Sequence, residues 1–175
     1  MLKSLRQKFN SITDISAEFT QSSNGRANLS GKFFYKKKNN LRLELKNLVI
    51  MSDGETSWNY NKKENKVIIS SYDENDPSIL SLTKIINEYP QRCTVDLQKD
   101  NGKNILVLTP KSTGINFKSV KIWIGPEDLI QKMEVLDLNN TAIQISFSNY
   151  QLNKKLPNSF FTFTPPKGSK VIDLR

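Results

Sequence analysis

Asp14-Ile15-Ser16-Ala17-Glu18-Phe19-Thr20-Gln21, DISAEFTQ, is where the periodicity of the chain changes. Ile15, Ala17 and Phe19 alternate with Ser16, Glu18 and Thr20, so one face of an extended chain is apolar and the other polar. That is the pattern of a half-buried strand. Just upstream the period is helical. Leu2, Leu5, Phe9 and Ile12 fall at i, i+3, i+7 and i+10, one stripe of an amphipathic helix over about residues 2–12, with Lys3, Arg6, Gln7 and Lys8 on its other side.

Downstream the two-residue period persists. Strand-like runs cover Asn28–Lys37, Leu41–Leu45, Leu48–Met51, Thr56–Tyr60 and Lys66–Tyr72. Asn24-Gly25 and Asp53-Gly54 mark turns between runs. One interruption follows. Asp76-Pro77 has the form of a helix start, Asp as cap and Pro at the first helical position. Ile79, Leu82, Ile85, Ile86 and Tyr89 continue at helical spacing, Leu80 widens the apolar face, and Pro90 is expected to stop the helix, giving a span of about 77–89. The alternation then returns in Arg92–Lys99, Lys103–Thr109, Phe117–Ile124, Leu129–Leu138, Thr141–Leu152 and Ser159–Thr164. The expected fold is mainly β: an incomplete, unclosed antiparallel barrel of about ten or eleven strands, with two helices to cover one opening. No linker-like tract interrupts residues 1–175, and a single domain is expected.

Composition narrows the function. Lys and Arg together number 26 against 17 Asp and Glu, a net charge of +9. Such a surface fits nucleic acid or anionic membrane. Yet the excess comes as 21 Lys to 5 Arg, beside 19 Asn, and the lysines are scattered along the chain. That reads as a compositional bias over a surface rather than a set of phosphate forks, for which Arg is favoured; no nucleic-acid partner is expected. Histidine is absent and Cys93 is the single cysteine, so no zinc or redox cluster and no internal disulfide can be assembled. Asp73-Glu74 and Glu127-Asp128 are carboxylate pairs in polar turn contexts, Ser169-Lys170 has no base beyond its own lysine, and DGETSW is a hairpin turn rather than a phosphate loop. No enzymatic activity, metal or cofactor is expected.

The most informative feature is apolar side chains gathered on one face: Phe33, Tyr35, Leu41, Leu43 and Leu45, then Ile143, Ile145 and Phe147. Periodicity leaves two readings open, a packed core or a cavity beneath a helical lid whose underside is Leu5, Phe9, Ile79, Leu82, Ile85 and Ile86.

Several stretches, in order, resemble the LolA family of periplasmic outer-membrane lipoprotein carriers. ISAEFTQ follows a short helix; GKFFYKK and SDGETSWNYN come next, then the Pro-started apolar helix PSILSLTKII, LVLTPK, IWIGPEDLIQKMEVLD, ISFSNYQLN and the closing FTFTPPKGSKVIDL. Together they span nearly the whole chain, and their series and spacing are more specific than any one alone. The resemblance implies an unclosed barrel with a helical lid over an acyl-chain cavity. It implies a carrier that receives acylated lipoproteins from an inner-membrane ABC transporter and delivers them to an outer-membrane receptor. It also implies a periplasmic monomer whose signal peptide has been removed. In the family an inward Arg near the end of the second strand latches the lid; here Lys37 takes that position and Lys38 replaces the following Pro. Lys offers three flexible donors rather than a planar fork. A lipid-sensing module of the same fold is the alternative, and a basic nucleic-acid module a more distant one.

Overall fold

The computed structural model describes residues 1–73 and 82–175, with the backbone alone at Ala27 and Asn28. Among these lie twelve strands in one sheet, ordered β12-β6-β5-β4-β3-β2-β1-β11-β10-β9-β8-β7, so that β12 and β7 are edges and the sheet is unclosed. The strands are β1 (Asp14–Ser23), β2 (Arg26–Lys36), β3 (Asn40–Leu45), β4 (Leu48–Asp53), β5 (Thr56–Asn61), β6 (Lys66–Ser71), β7 (Cys93–Asp100), β8 (Lys103–Pro110), β9 (Phe117–Ile124), β10 (Ile130–Asp137), β11 (Ala142–Leu152) and β12 (Lys170–Asp173). Helix α1 covers Leu2–Ser11, and a π-helical turn, Lys84–Glu88, runs into α2, Tyr89–Arg92. The Asp76-Pro77 start, Ile79 and Leu80 lie outside the described residues.

The mainly β expectation holds, with two corrections. The run Ser159–Thr164 is not a strand; Asn158–Phe161 forms a 3-10 turn instead. A strand would send Phe160 and Phe161 to opposite faces. Here Phe160 meets Phe34 edge-on at 4.9 Å while Phe161 is fully buried. The last strand is β12, which pairs parallel to β6, Lys170 beside Lys66 through Asp173 beside Ile69. The count is therefore twelve rather than ten or eleven.

The second correction concerns Pro90, which does not stop the helix; α2 runs on to Arg92. Proline has no N–H for the carbonyl four residues back, here Ile86, and its ring crowds that carbonyl. The turn before it widens into a π-helix, in which the Tyr89 N–H reaches the Lys84 carbonyl.

The chain divides into two compact units. The first comprises Met1–Ser11, Thr20–Leu29 and Pro77–Ser148. Its core is Leu5, Phe9, Leu82, Ile85, Ile86, Phe117, Val120, Ile122, Met133, Ile145 and Phe147 with the consecutive buried run Ile105–Leu108. Tyr89 packs edge-on against Phe117 at 5.2 Å. Cys93 is buried there, and desolvation pushes its thiol pKa up against the opposing pull of Arg92 and Lys111.

The second unit comprises Ile12–Phe19, Ser30–Asp76 and Asn149–Arg175. Its strand registers define two faces. Phe33 pairs with Leu43, Tyr35 with Leu41 and Gly31 with Leu45, all on one face. Phe34 and Arg42 pair on the other, which continues through Met51, Trp58 and Ile69 in one row and Val49, Tyr60 and Val67 in the next. The C-terminal residues lie along this second face. Arg42 sits 4.4 Å from the centre of the Phe160 ring and donates to the Phe160 carbonyl, and Tyr60 meets Phe163 at 5.1 Å. Lys36 Nζ donates to the Leu156 carbonyl at 2.8 Å and to Asn158 at 2.6 Å. This strap covers the second face of the sheet where no helix does.

Candidate functional site

In the first unit, α1 and the second helical stretch carry their apolar residues as the sequence suggests. Leu5 and Phe9 are buried, as are Leu82, Ile85 and Ile86. Three polar contacts add to this packing. Arg6 Nε donates to the Ile86 carbonyl at 3.3 Å, Asn87 Nδ2 to Asn10 Oδ1 at 3.2 Å, and Lys8 pairs with Glu127 at 3.4 Å. Pro90 has no N–H with which to close an α-helical bond to the Ile86 carbonyl, and Arg6 donates to that carbonyl. Sequence reading left Arg6 on the polar side of α1, and its contact with Ile86, 80 positions later, carries no local signal.

Replacing Arg6 with methionine keeps most of the aliphatic stem and removes the donor. The expected loss is about 1–2 kcal/mol, because a part-buried charge-assisted bond is worth somewhat more than a neutral one. It should appear as a lower urea midpoint and as roughly tenfold faster amide exchange across Lys84–Arg92. Exchange as slow as in the wild type would mean that apolar packing alone holds the two helices.

In the second unit Phe33, Tyr35, Leu41 and Leu45 are buried and Leu43 is half-buried. The hairpin register sets Phe33 and Tyr35 directly opposite Leu43 and Leu41, so these side chains form one continuous apolar face. The β2–β3 hairpin is held by a close approach: a Cβ on Gly31 would collide with the Glu44 carbonyl across the strand pair. Ile145 and Phe147 are buried and Ile143 half-buried, within the first unit.

Counting in twos from Phe33 and Tyr35 would carry Lys37 onto their face, but Lys37 lies just past the end of the ladder. The strand ends at Lys36, and Lys37 is exposed in the turn beyond it, its N–H bonded to the Thr13 carbonyl at 3.2 Å. Alternation holds only while the residue is in the ladder, and here the ladder ends one residue earlier. Lys38 and Asn39 follow with positive φ of 68° and 57°. Arg42 alternates away from Leu41 and Leu43 and pairs with Glu44, while the strap half-covers it. Trp123 donates from Nε1 to Asp100 at 2.8 Å and lies under Lys132 at 4.1 Å, a packing role.

Among the described residues no group of three or more His, Cys, Asp or Glu could hold a metal, and no helix is long and apolar enough to cross a membrane. The architecture thus defines a class: a mainly β protein whose unclosed sheet carries an extended apolar face in one unit and a pair of apolar helices in the other. Within that class, the family model described as outer membrane lipoprotein carrier protein LolA matches residues 10–164, and the chain belongs to this family. An outer-membrane lipoprotein carrier protein of Klebsiella pneumoniae is 28% identical over 98% of this chain and 87% of its own length. One from Dechloromonas aromatica is 29% identical over 90% of this chain and 80% of its own. The crystal structure of an uncharacterized conserved protein from Thermus thermophilus superposes with a TM-score of 0.62 at 14% identity, covering 96% of this chain and 94% of that one, a likeness of fold.

Proposed function

We propose that this protein is a soluble periplasmic carrier that shields the acyl chains of lipoproteins between the inner and outer membranes. Its cargo comes from an inner-membrane ABC transporter and goes to an outer-membrane receptor. The observation that carries this reading is family membership over residues 10–164. The apolar face built by Phe33, Tyr35, Leu41, Leu43 and Leu45 supports it as the acyl-binding surface in the second unit. Ile143, Ile145 and Phe147 serve the same purpose in the first unit, and Leu5, Phe9, Leu82, Ile85 and Ile86 form the underside of the lid. Arg6 holds the two lid helices as one body, and Lys37 is the family's latch position in this chain.

The energetics set the demand. Each CH₂ taken out of water is worth roughly 0.8 kcal/mol, so a single long acyl chain carries on the order of 10 kcal/mol. Such a chain leaves a bilayer only for a surface of nearly equal apolar quality. It leaves the carrier again only if two states of the lid differ in affinity for it.

The test is release of newly made lipoprotein from spheroplasts. Added protein is expected to bring lipoprotein into the soluble fraction as a one-to-one complex. Leu43→Glu is the informative variant. Leu43 is half-buried, whereas Phe33, at 2% exposure, would report on folding rather than on cargo. A carboxylate on the apolar face is expected to lower release at least tenfold with the circular dichroism spectrum unchanged. Absence of release by the folded wild type overturns the carrier reading; equal release by the variant moves the binding surface away from β3.

A further inference from the structure

The lysines that look scattered in the sequence are gathered by the fold. At one end of the second unit three turns come together. Lys46 lies in the β3–β4 turn, Lys62 and Lys63 in the β5–β6 turn, Lys66 opens β6, and Lys167 and Lys170 flank the turn that leads into β12. Backbone bonds tie the three turns to one another. The Lys62 N–H reaches the Asn47 carbonyl at 2.9 Å, and the Lys170 N–H reaches the Asn65 carbonyl at 2.9 Å. Ser169 Oγ adds a bond to Asn65 Oδ1 at 2.7 Å.

Five of these lysines are exposed and Lys66 is half-buried. Lys66 and Lys170 stand side by side in register on adjacent parallel strands. Like charges so placed repel and cost stability, so their accumulation calls for a reason. Glu64 is the single carboxylate in the three turns, while Glu44 on β3 and Asp173 on β12 are engaged by Arg42 and Arg175. Among the described residues none of the six lysines makes an ion pair; Lys62 Nζ donates to the Leu45 carbonyl at 3.1 Å.

We propose that this lysine end docks the protein on the surface of an anionic lipid bilayer. The chemistry separates this partner from the others. A protein interface draws on Arg and aromatic anchors seated in pockets and is depleted in Lys. This end has neither Arg nor an exposed aromatic ring in its three turns. Nucleic-acid backbones favour the planar Arg fork, whereas lysine is a hydrated point charge on a flexible stem. A headgroup layer is a laterally averaged negative surface that asks for charge without geometry, and clusters of four to eight basic residues meet that demand. Exposed Val171, next to Lys170, offers the layer one apolar side chain.

The inference rests on charge geometry alone and stands or falls apart from cargo binding. The experiment is cosedimentation with vesicles free of lipoprotein. The whole protein is mixed with phosphatidylethanolamine vesicles containing phosphatidylglycerol, and with neutral phosphatidylcholine vesicles. Partition is expected on the anionic vesicles only, falling steeply as salt rises. The variant K62Q/K63Q/K170Q is expected to lose about a hundredfold in partition coefficient. The variant K99Q/K103Q/K111Q removes the same charge from exposed positions of the first unit and is expected to stay within about threefold of wild type. All six positions are surface lysines, so both variants should fold. No partition of the wild type, or equal loss in both variants, overturns the proposal; the second result would make net charge the cause. Capture of an acidic protein without vesicle binding would overturn it in favour of a protein partner.

Discussion

Asp14→Ala is expected to lower the stability of the protein by about 3–5 kcal/mol, the range for removing one partner of a buried, charge-assisted network. Asp14 opens β1 and is 1% exposed. Its carboxylate accepts the Lys154 N–H at 2.8 Å, the Lys155 N–H at 3.1 Å and the Thr13 hydroxyl at 3.0 Å. Its own carbonyl accepts the Asn153 N–H at 2.9 Å, and Asn153 Oδ1 in return accepts the Thr13 N–H at 2.8 Å. The turn so held is strained, since Asn153 and Lys155 both have φ of 58°, a conformation that costs a lysine about 1 kcal/mol or more. Alanine leaves two backbone donors without an acceptor and the strain without compensation. Asparagine keeps one oxygen of the same reach, so Asp14→Asn is expected to lose about 1–2 kcal/mol. Urea denaturation measures both. A further consequence separates this account from a general loss of packing: the turn launches the strap, so Asp14→Ala should speed amide exchange in β12, far along the chain from the substitution. A loss below about 1 kcal/mol, with β12 unaffected, would mean that water satisfies the two donors instead.

Asp14 also marks how far the sequence could be read. The alternation of Ile15, Ala17 and Phe19 was plain, and so were the hairpins and the apolar stripes of the helices, because each depends on a period within one segment. What Asp14 does depends on residues about 140 positions later, and no local pattern reports that. The strap was missed for the same reason. Phe160, Phe161 and Phe163 look like an alternating strand until the outer face of β2–β6 is known to need a cover. Lys37 shows a second limit, since a period of two says nothing about where the ladder ends, and β2 ends at Lys36. The lysines were counted correctly and judged scattered; only the turn contacts show which of them share one end. Pro90 was read as a stop, whereas the helix takes it up by widening into a π-turn and runs on to Arg92.

Gly31→Ala is the second change expected to have a large effect, although it adds one methyl group. Gly31 begins the stretch GKFFY and pairs with Leu45. A Cβ there would run into the backbone carbonyl of Glu44, with the Phe19 ring 3.3 Å away on another side. A flexible side chain could turn aside; a carbonyl held in a ladder cannot, so one strand must move. Glycine inside a strand commonly marks such a close backbone approach. The expected loss is about 3 kcal/mol or more, at the upper end for overpacking, and Gly31→Val should leave little folded protein. Gly25 and Gly102 supply the contrast. Each has φ of +78° and nothing within 4 Å of an added Cβ, so alanine there meets only the backbone penalty of about 1 kcal/mol. Comparing the urea midpoints of the three alanine variants separates collision from conformation. A midpoint for Gly31→Ala no lower than for Gly25→Ala would mean that the hairpin shifts freely at this point. The consequence for function follows from the register. Phe33 opposite Leu43 and Tyr35 opposite Leu41 lie two and four residues beyond Gly31, and a displaced β3 takes those apolar pairs apart. If the proposed acyl-binding surface is this face, Gly31→Ala should lose cargo in the release assay at temperatures where Gly25→Ala still carries it, because that face is only as continuous as the hairpin that aligns it.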